Sequence, residues 1–477
     1  MNYVVISKQG KIYNANEYIQ SLGFNNLCSS QNAYAQPGFI DFIRREAFEE
    51  VIVSPKDEKP EYLHYASKLG FNWEPNAGAG LVQYDYRAHL IMRLVQDYAR
   101  QLMHKIGFPI YEMLGSNMFD ESYPVVEAYA NLYGDRLFKA GSGKNKHYIM
   151  GYDASYPQFN LAAGKKLSHK NLPFGHFSIS DCYRYEQRGE LMMLYRGRRF
   201  FMPDLHPYFK DVHEAFEWYS RIEEVLIEAA GEANREYHIV AEVASEQVWN
   251  QYQEEIKAIA VNGKRDILVG IHEDQKDRYW IINVDYKIMD KLGQSREIAC
   301  IQIDVGNAAR LGIEYMDKNG NKQNPAIIHS AVPGGFERYL YMILDNFKES
   351  MPLWLYPVQV RLIPVAGENN QYSASDQEQR ALQFCQKIVE KYAYNIRIEI
   401  DNRSESVSWR IKQAYRDLVP HSIVIGEKEL SAVGNKNLSS ASKLENDPFP
   451  ELDNLKDEMQ GKPFIPRQWP MMVGDLV

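Results

Sequence analysis

Apolar residues recur along the chain with two different periods, and each period predicts one kind of element. From Arg87 they return every three to four positions, which predicts a long amphipathic helix ending at Gly107 and Pro109. The same spacing predicts helices over 212–233 and 335–347. The apolar face of the first helix consists of Ile91, Val95, Tyr98, Leu102 and Ile106.

Between these helices, short runs alternate apolar and polar residues, which is the period of a strand. Turn residues separate the runs, so we predict a largely antiparallel sheet of six or seven strands within about residues 76–350, flanked by helices. From residue 353 strands and helices alternate, which predicts a compact α/β domain with a parallel-type sheet. The runs of the first sheet are HYIMGY, FSISDCYRY, RFFMPDLH, YWIINVDY, EIACIQIDV and AIIHSAV.

These patterns predict three domains. Residues 1–60 form a small α/β module, which ends with the strand-like run VIVSP and the polar stretch SPKDEKPEY. Residues 61–350 carry the antiparallel sheet, and residues 351–477 form the α/β domain. The tail from Gly434 is rich in Asn, Ser, Lys and Pro, so we expect it to be irregular.

Composition excludes several classes of protein. The net charge is 54 minus 63, or −9, which argues against a protein that coats nucleic acid indiscriminately but leaves room for a local RNA site. No run of about 18 apolar residues occurs, and the N-terminus does not read as a signal peptide, so we expect no membrane span and a cytoplasmic location. The cysteines predict neither a disulfide framework nor a CxxC zinc site; they are Cys28, Cys182, Cys300 and Cys385.

The segment CYRYEQRGELMMLYRGRRF, residues 182–200, concentrates five arginines against two glutamates. Arg184 and Glu186 share one face of a strand by alternation. An arginine fork suits phosphate, a glutamate suits an amine or a metal, and Phe200 can stack on a base, so the segment suits a nucleoside triphosphate. A solvated basic hairpin explains the same spacing equally well.

Two further features are weaker alone. PGGFERY places two glycines before a helix that carries Arg338, which suits a second phosphate but also suits a simple turn. His206 and His329 lie in strand-like runs, where each is a metal ligand, a base or a buried core histidine. Asp204 points to the same strand face as His206.

Together these motifs resemble the class II aminoacyl-tRNA synthetases in their threonyl form, over about residues 61–477. CYRYEQRGEL followed by RGRRFFMPDLH resembles motif 2, and PAIIHSAVPGGFERYLY resembles motif 3. CIQIDVGNAARLGIEYMDKNGNKQNP is similar to the segment upstream of motif 3. PLWLYPVQVRLIPVA and DNRSESVSWRIKQAYRDLVPHSIVIGEKEL are similar to the anticodon-binding domain, and the closing EMQGKPFIPRQWPMMV is similar to the archaeal type.

The resemblance implies ATP and Mg²⁺ as cofactors, an amino acid and tRNA as substrates, and a homodimer built through the helix after Arg87. It implies Arg184 at the α-phosphate and Arg338 at the γ-phosphate, both catalytic through charge stabilisation. Glu186 would contact the adenine amine and Phe200 would stack on the ring. The remaining implied residues are Arg198 near the loop end for ATP, Gln302 in the substrate-lining strand for both ligands, and Asp204, His206, Asp304 and His329 for the amino acid.

The sequence also departs from the family. Threonyl enzymes bind zinc through one cysteine and two histidines; His206 and His329 match the histidines, but Ser155 stands where the cysteine is expected. Because a neutral hydroxyl is a far weaker zinc ligand than a thiolate, we expect weak zinc binding or none. Two further motifs differ: the motif 1 proline is replaced by Leu114, and an arginine-rich strand expected after GEKEL is replaced by SAVGNKNLSSAS. We also expect no editing domain before the catalytic core.

Three functions remain open at this point. The chain is a threonine-activating synthetase without editing, a paralogue that adenylates another amino acid or loads an acceptor other than tRNA, or a synthetase-like binding protein with a dead site. Arg184, Glu186 and Arg338 argue against the dead site, and the anticodon-like domain favours tRNA as the acceptor.

Overall fold

The computed structural model describes residues 1–25, 38–50, 60–131, 133–141, 147–275, 278–366, 373–433 and 449–476. The described chain divides into two compact units. The first contains residues 1–63, 73–82 and 99–350, and the second contains residues 64–72, 83–98 and 351–477. Cys28, the predicted strand at VIVSP, most of the polar stretch after it and residues 434–448 of the tail lie outside the described residues. The predicted three-domain division stays a prediction.

A large mixed sheet forms the frame of the first unit, and all but two of its neighbouring pairs are antiparallel, as predicted. Among the described residues it has ten strands rather than six or seven. In spatial order they are Ile12–Asn14, Asn2–Ile6, Ile267–Ile271, His238–Val243, Trp280–Met289, Ser295–Asp304, Ala326–Ala331, Arg199–Phe209, Phe174–Tyr183 and Ile110–Glu112.

The difference in strand number arises mainly at the N-terminal edge of the sheet. The hairpin of Asn2–Ile6 and Ile12–Asn14 pairs antiparallel with Ile267–Ile271, so the first residues of the chain extend the same sheet. Alternation within a strand identifies the strand but not its partner, because pairing depends on residues far apart in sequence. The prediction that HYIMGY belongs to the large sheet is wrong: its strand, His147–Met150, pairs instead with Met118–Asp120 and Lys139–Gly141 in a separate sheet. Other short strands of the first unit are Leu167–Ser168, Tyr315–Met316 and Lys322–Gln323.

The predicted helices are confirmed in place and period. The helix Tyr86–Ile106 buries its five predicted apolar positions and ends at Gly107, whose φ of 106° suits a glycine C-terminus. The helix Val212–Glu232 begins where the Asp211 side chain accepts a hydrogen bond from the Glu214 amide at 2.9 Å. Other helices are Ala15–Asn25, Phe39–Phe48, Tyr62–Lys68, Pro124–Ala130, Ser155–Ala163, Glu246–Asn262, Asn307–Arg310, Phe336–Asp345 and Phe347–Ser350.

The second unit contains a parallel sheet in which Val360–Pro364 lies between Ile398–Ile400 and His421–Ile425, as the alternating pattern predicts. Its helices are Ala374–Tyr392, Val407–Arg416, Glu427–Val433 and Pro450–Glu458. The last of these corrects the expectation of an irregular tail: Pro450 occupies the first helical turn, and Leu452 and Leu455 pack into the core. Short strands at Phe71–Trp73 and Val82–Tyr84 pair with each other.

No helix in the described part of the chain combines the length and the apolar character that crossing a membrane requires.

Candidate active site

A cavity of about 290 Å³ lies in the first unit, where four adjacent strands of the large sheet and the start of the helix Phe336–Asp345 converge. The strands are Phe174–Tyr183, Arg199–Phe209, Ala326–Ala331 and Ser295–Asp304. Eight residues singled out in the sequence line it: Ser155, Arg184, Glu186, Phe200, Asp204, Gln302, His329 and Arg338. Residues as far apart in sequence as Ser155 and Arg338, 183 positions, therefore meet in one pocket.

Aromatic rings fix the position of Arg184. Its guanidinium carbon lies 4.4 Å from the Tyr152 ring centre and 4.9 Å from that of Phe200, and Nε donates to the Tyr152 carbonyl at 3.3 Å. Tyr152 itself stacks on Tyr133 at 3.9 Å. A guanidinium between two rings keeps its charge while its rotation is restricted, which suits a fixed contact to an anion.

Arg338 lies at another wall of the cavity, where Nη1 pairs with Glu297 at 2.9 Å and the guanidinium faces the Tyr195 ring at 5.1 Å. Burial alone would raise the pKa of Glu297, but Arg338, Lys287 and Arg184 outweigh it and lower that pKa. The carboxyl therefore stays ionised beside the arginine.

A β-bulge explains why strand alternation did not reveal Glu297 in the sequence. Along Ser295–Asp304, Gln302 pairs with Asn283, but the register shifts so that Glu297 pairs with Lys287. The extra residue turns Glu297 to the face that carries Gln302, whereas strict alternation places the two on opposite faces.

The loop of the arginine-rich hairpin is tied internally. Glu186 is buried and its carboxylate pairs with Arg136, while its carbonyl accepts hydrogen bonds from Nε and Nη2 of Arg198 at 3.0 and 2.8 Å. Arg198 also faces the Tyr185 ring at 4.5 Å. Two other arginines of this hairpin, Arg196 and Arg199, line the cavity together with Arg184.

Two histidines meet behind the cavity with their protonation fixed by their neighbours. The Gln158 amide donates from Nε2 to the Asp204 carbonyl at 3.0 Å, so its Oε1 faces His206 Nδ1 at 2.9 Å and must accept from it. His329 Nε2 lies 2.7 Å from the Asp304 carboxylate and donates to it. The second nitrogens of the two rings then face each other.

Those two nitrogens, His206 Nε2 and His329 Nδ1, are 3.1 Å apart. The Ser155 hydroxyl is also 3.1 Å from His206 Nε2, and the nearest Asp204 carboxylate oxygen is 3.7 Å from it. Burial lowers the pKa of His206 well below its usual value and raises that of Asp204 to about 7. Two ring nitrogens within hydrogen-bond distance of each other and the Ser155 hydroxyl therefore converge at this end of the cavity.

The match to a metal site is nevertheless incomplete. The described residues contain no group of three His, Cys, Asp or Glu side chains that could hold a metal ion. Asp153, a conceivable replacement ligand, instead accepts hydrogen bonds from the Tyr129 and Tyr133 hydroxyls and from the Ser155 amide. Its carboxylate is held in the cavity wall by these three donors.

Comparison with known proteins identifies the family. Residues 138–347 match the tRNA synthetase class II core domain (G, H, P, S and T), and residues 359–451 match an anticodon binding domain. The chain is 35% identical to the threonine–tRNA ligase of Nanoarchaeum equitans over 442 residues, covering 91% of this chain and 67% of the relative. It is 33% identical to that of Pyrobaculum islandicum over 477 residues, covering 98% and 73%.

The chain belongs to the threonine–tRNA ligase family. It spans 60–73% of the length of the curated relatives that it matches. Solved structures share the fold at low identity: a threonyl-tRNA synthetase RNA binding domain from Cryptosporidium parvum has a TM-score of 0.65 at 18% identity, covering 79% of this chain and 91% of that one. Prolyl-tRNA synthetase of Giardia lamblia has a TM-score of 0.61 at 15% identity, covering 85% and 82%. The sequence resemblance and the predicted fold class are thereby confirmed.

For this threonine–tRNA ligase family member, the structure separates the predicted site residues into two groups. Most line the cavity, whereas His206 and Asp304 lie fully buried behind His329, and Arg198 supports the loop of Glu186. The sequence argument considered Asp153 only as a replacement zinc ligand and did not assign Tyr133, Tyr152, Arg196, Tyr279 and Glu297 to the site, yet all of them line the cavity. The composition offered one signal for the tyrosines, since 33 of the residues are tyrosine.

Proposed function

We propose that this chain activates threonine with ATP and transfers it to tRNA. The observation that carries the proposal is that Arg184 and Arg338 line the same cavity as Asp204, Gln302 and His329. The names of the curated relatives and the anticodon binding domain at residues 359–451 support threonine and tRNA as substrates. The two arginines argue against the dead-site alternative, and the threonine–tRNA ligase relatives argue against the paralogue.

In the proposed first step, the threonine carboxylate attacks the α-phosphorus of ATP, and pyrophosphate leaves. The reaction needs charge stabilisation more than proton transfer, because negative charge spreads over the phosphate oxygens. Arg184 would contact the α-phosphate and Arg338 the γ-phosphate, with Glu186 and Phe200 at the adenine. A divalent ion brought with ATP would offset further charge, and the Glu297 carboxylate beside Arg338 is the type of oxygen ligand that Mg²⁺ prefers.

At the other end of the cavity, we infer that threonine is recognised mainly by hydrogen bonds. The facing nitrogens of the two histidines are 3.1 Å apart. Two nitrogen ligands of one zinc ion, each about 2.0–2.1 Å from the metal, have a similar separation, so this pair suits zinc. The third position holds the Ser155 hydroxyl instead of a thiolate, so the donor set does not complete a zinc site. Ser155 and Asp204, which line the cavity, can pair with the threonine hydroxyl, and valine would leave them without that partner.

We also propose a homodimer that forms through the outer strand of the large sheet. Ile110–Glu112 is the last strand of that sheet in the described part of the chain. Large apolar side chains around it are exposed: Tyr111 by 56%, Leu114 by 80% and Met118 by 46%. An open strand edge with apolar neighbours favours association with another chain. A cytoplasmic location stays a prediction.

The first prediction concerns the substrate. In ATP–pyrophosphate exchange across the twenty amino acids, we expect threonine to give the fastest exchange. Valine, which lacks the hydroxyl, should be poorer by at least about 100-fold, because a polar pocket that loses its partner rejects the isostere strongly. Exchange driven best by another amino acid would contradict the threonine assignment and support the paralogue.

The second prediction concerns the two arginines. Arg184→Ala and Arg338→Ala should each slow threonine-dependent exchange by about 10- to 100-fold, because each loses a charge-assisted contact of about 1.5–3 kcal/mol. Arg188→Ala, an exposed arginine of the same hairpin, is the matched control and should stay within about two-fold. If either cavity variant exchanges at the unmutated rate, its assigned role is wrong.

The third prediction concerns zinc. Protein purified without chelator and then dialysed should contain clearly less than one zinc per chain in elemental analysis. Ser155→Cys should raise the occupancy, because it supplies the missing thiolate beside His206 and His329. Ser155→Ala is the control and should not. Stoichiometric zinc in the unmodified protein would refute the inference.

The fourth prediction concerns assembly. Light scattering at micromolar concentration should give the mass of a dimer, and Leu114→Asp should shift it toward the monomer by placing a charge in the interface. Tyr394→Asp changes a side chain that is 83% exposed in the other unit and should leave the dimer intact. A monomeric unmodified protein would contradict the proposed interface.

A further inference from the structure

A row of polar side chains connects the N-terminal segment with the amino-acid end of the cavity. Its first member is Glu46 on the helix Phe39–Phe48, which pairs with Lys287 Nζ at 2.8 Å. Lys287 lies 3.6 Å from Asp285, and Asp285 accepts from the Asn283 amide at 3.0 Å. Lys287, Asp285 and Asn283 occupy alternate positions of the strand Trp280–Met289 and therefore lie on one face of it.

The row continues onto the neighbouring strand. Gln302 Nε2 donates to Asn283 Oδ1 at 3.0 Å, and Gln302 Oε1 accepts from the Tyr279 hydroxyl at 2.9 Å. Gln302 and Tyr279 both line the cavity. The path from Glu46 to the cavity is therefore continuous.

The charges on Glu46, Lys287 and Asp285 determine the direction of every hydrogen bond in this row. An ionised Asp285 accepts only, so Asn283 must turn its amide nitrogen toward it. The Asn283 oxygen then faces Gln302, which must donate from its own nitrogen. The Gln302 oxygen is consequently the atom left for Tyr279 and for a ligand in the cavity.

We propose that Lys287, anchored by Glu46, is a positioning residue that sets the orientation of the Gln302 amide, so that its oxygen faces the amino acid. The inference rests on the proposed function, because it assumes that threonine occupies this end of the cavity. It also gives the N-terminal segment a task in the reaction.

The electrostatics of the row support this role. Burial raises the pKa of Asp285 to about 7, with Glu297 and Glu242 acting in the same direction and Lys287 in the opposite one. Burial also disfavours the charge on Lys287, but Asp285 and Glu46 outweigh it and raise the Lys287 pKa. This pKa of Asp285 already includes the lowering by Lys287, so without the lysine it would rise further and the carboxyl would hold a proton at neutral pH. A protonated carboxyl can donate, and both amides would then be free to rotate.

The test compares three variants by their KM values in the exchange assay. Lys287→Met should raise the KM for threonine by about 3- to 10-fold, the equivalent of one neutral hydrogen bond, while the KM for ATP stays unchanged. Lys287→Arg keeps the charge and should restore the threonine KM. Arg235→Met is the matched control: it breaks a similarly buried ion pair with Asp345, which is not part of this row, and should leave both KM values unchanged.

A double-mutant cycle with Gln302→Ala tests whether Lys287 changes the threonine KM through Gln302. If Lys287 acts through Gln302, Lys287→Met should raise the threonine KM no further in the Gln302→Ala background. Glu46→Gln provides the same test should Lys287→Met fail to fold. Equal KM changes in both backgrounds, or an unchanged threonine KM in an active protein, would overturn the inference alone. Absence of threonine-dependent exchange in the unmodified protein would overturn the proposed function and this inference with it.

Discussion

The buried carboxylate of Asp304 fixes the geometry on which the rest of the candidate site depends. It accepts hydrogen bonds from the Gly306 and Asn307 amides, from the Asn307 side chain and from His329. With no exposed surface, it can neither rotate nor exchange these donors for water. His329 therefore directs its Nδ1 toward His206, and Gln158 holds the other ring so that its Nε2 faces His329. The orientation of both rings is thus a consequence of partners buried behind the cavity.

Much of the fold was predictable because its periods are long and unbroken. The helix Tyr86–Ile106 repeats its apolar positions over 21 residues, and two strands of the large sheet, Phe174–Tyr183 and Arg199–Phe209, are ten and eleven residues long. Pairing was less predictable. The hairpin at residues 2–14 joins the sheet through Ile267–Ile271, a contact across more than 250 residues that no local pattern specifies. The helix Pro450–Glu458 was missed because the polar residues around it conceal two buried leucines.

The candidate site shows the same division between local and distant information. Arg184, Glu186 and Phe200 could be placed together because they belong to one hairpin. Glu297 could not be placed with them, because a bulge in the pairing of its strand with Trp280–Met289 decides which face of the sheet it occupies. Asp153 lies two residues before Ser155, yet its place in the cavity wall depends on Tyr129 and Tyr133, which approach from a separate helix and the turn after it. Short motifs thus carry the chemistry, and long-range packing decides which further residues join it.

The order of charges along the cavity matches the order of charges in the proposed reactants. Asp153 and Asp204 line the end near the histidines, where the ammonium group of an amino acid would lie. Burial raises the pKa of Asp204 and acts in the same direction on Glu297, where the neighbouring cations outweigh it; Arg184 favours the ionised form of each carboxyl. Arg184 lines the same cavity as Asp204 and the Glu297–Arg338 pair. The carboxylate of the amino acid and the α-phosphorus that it attacks would meet at Arg184, with the ammonium group on one side and the departing phosphates on the other. The fixed charges of the protein thus orient both reactants before any bond forms.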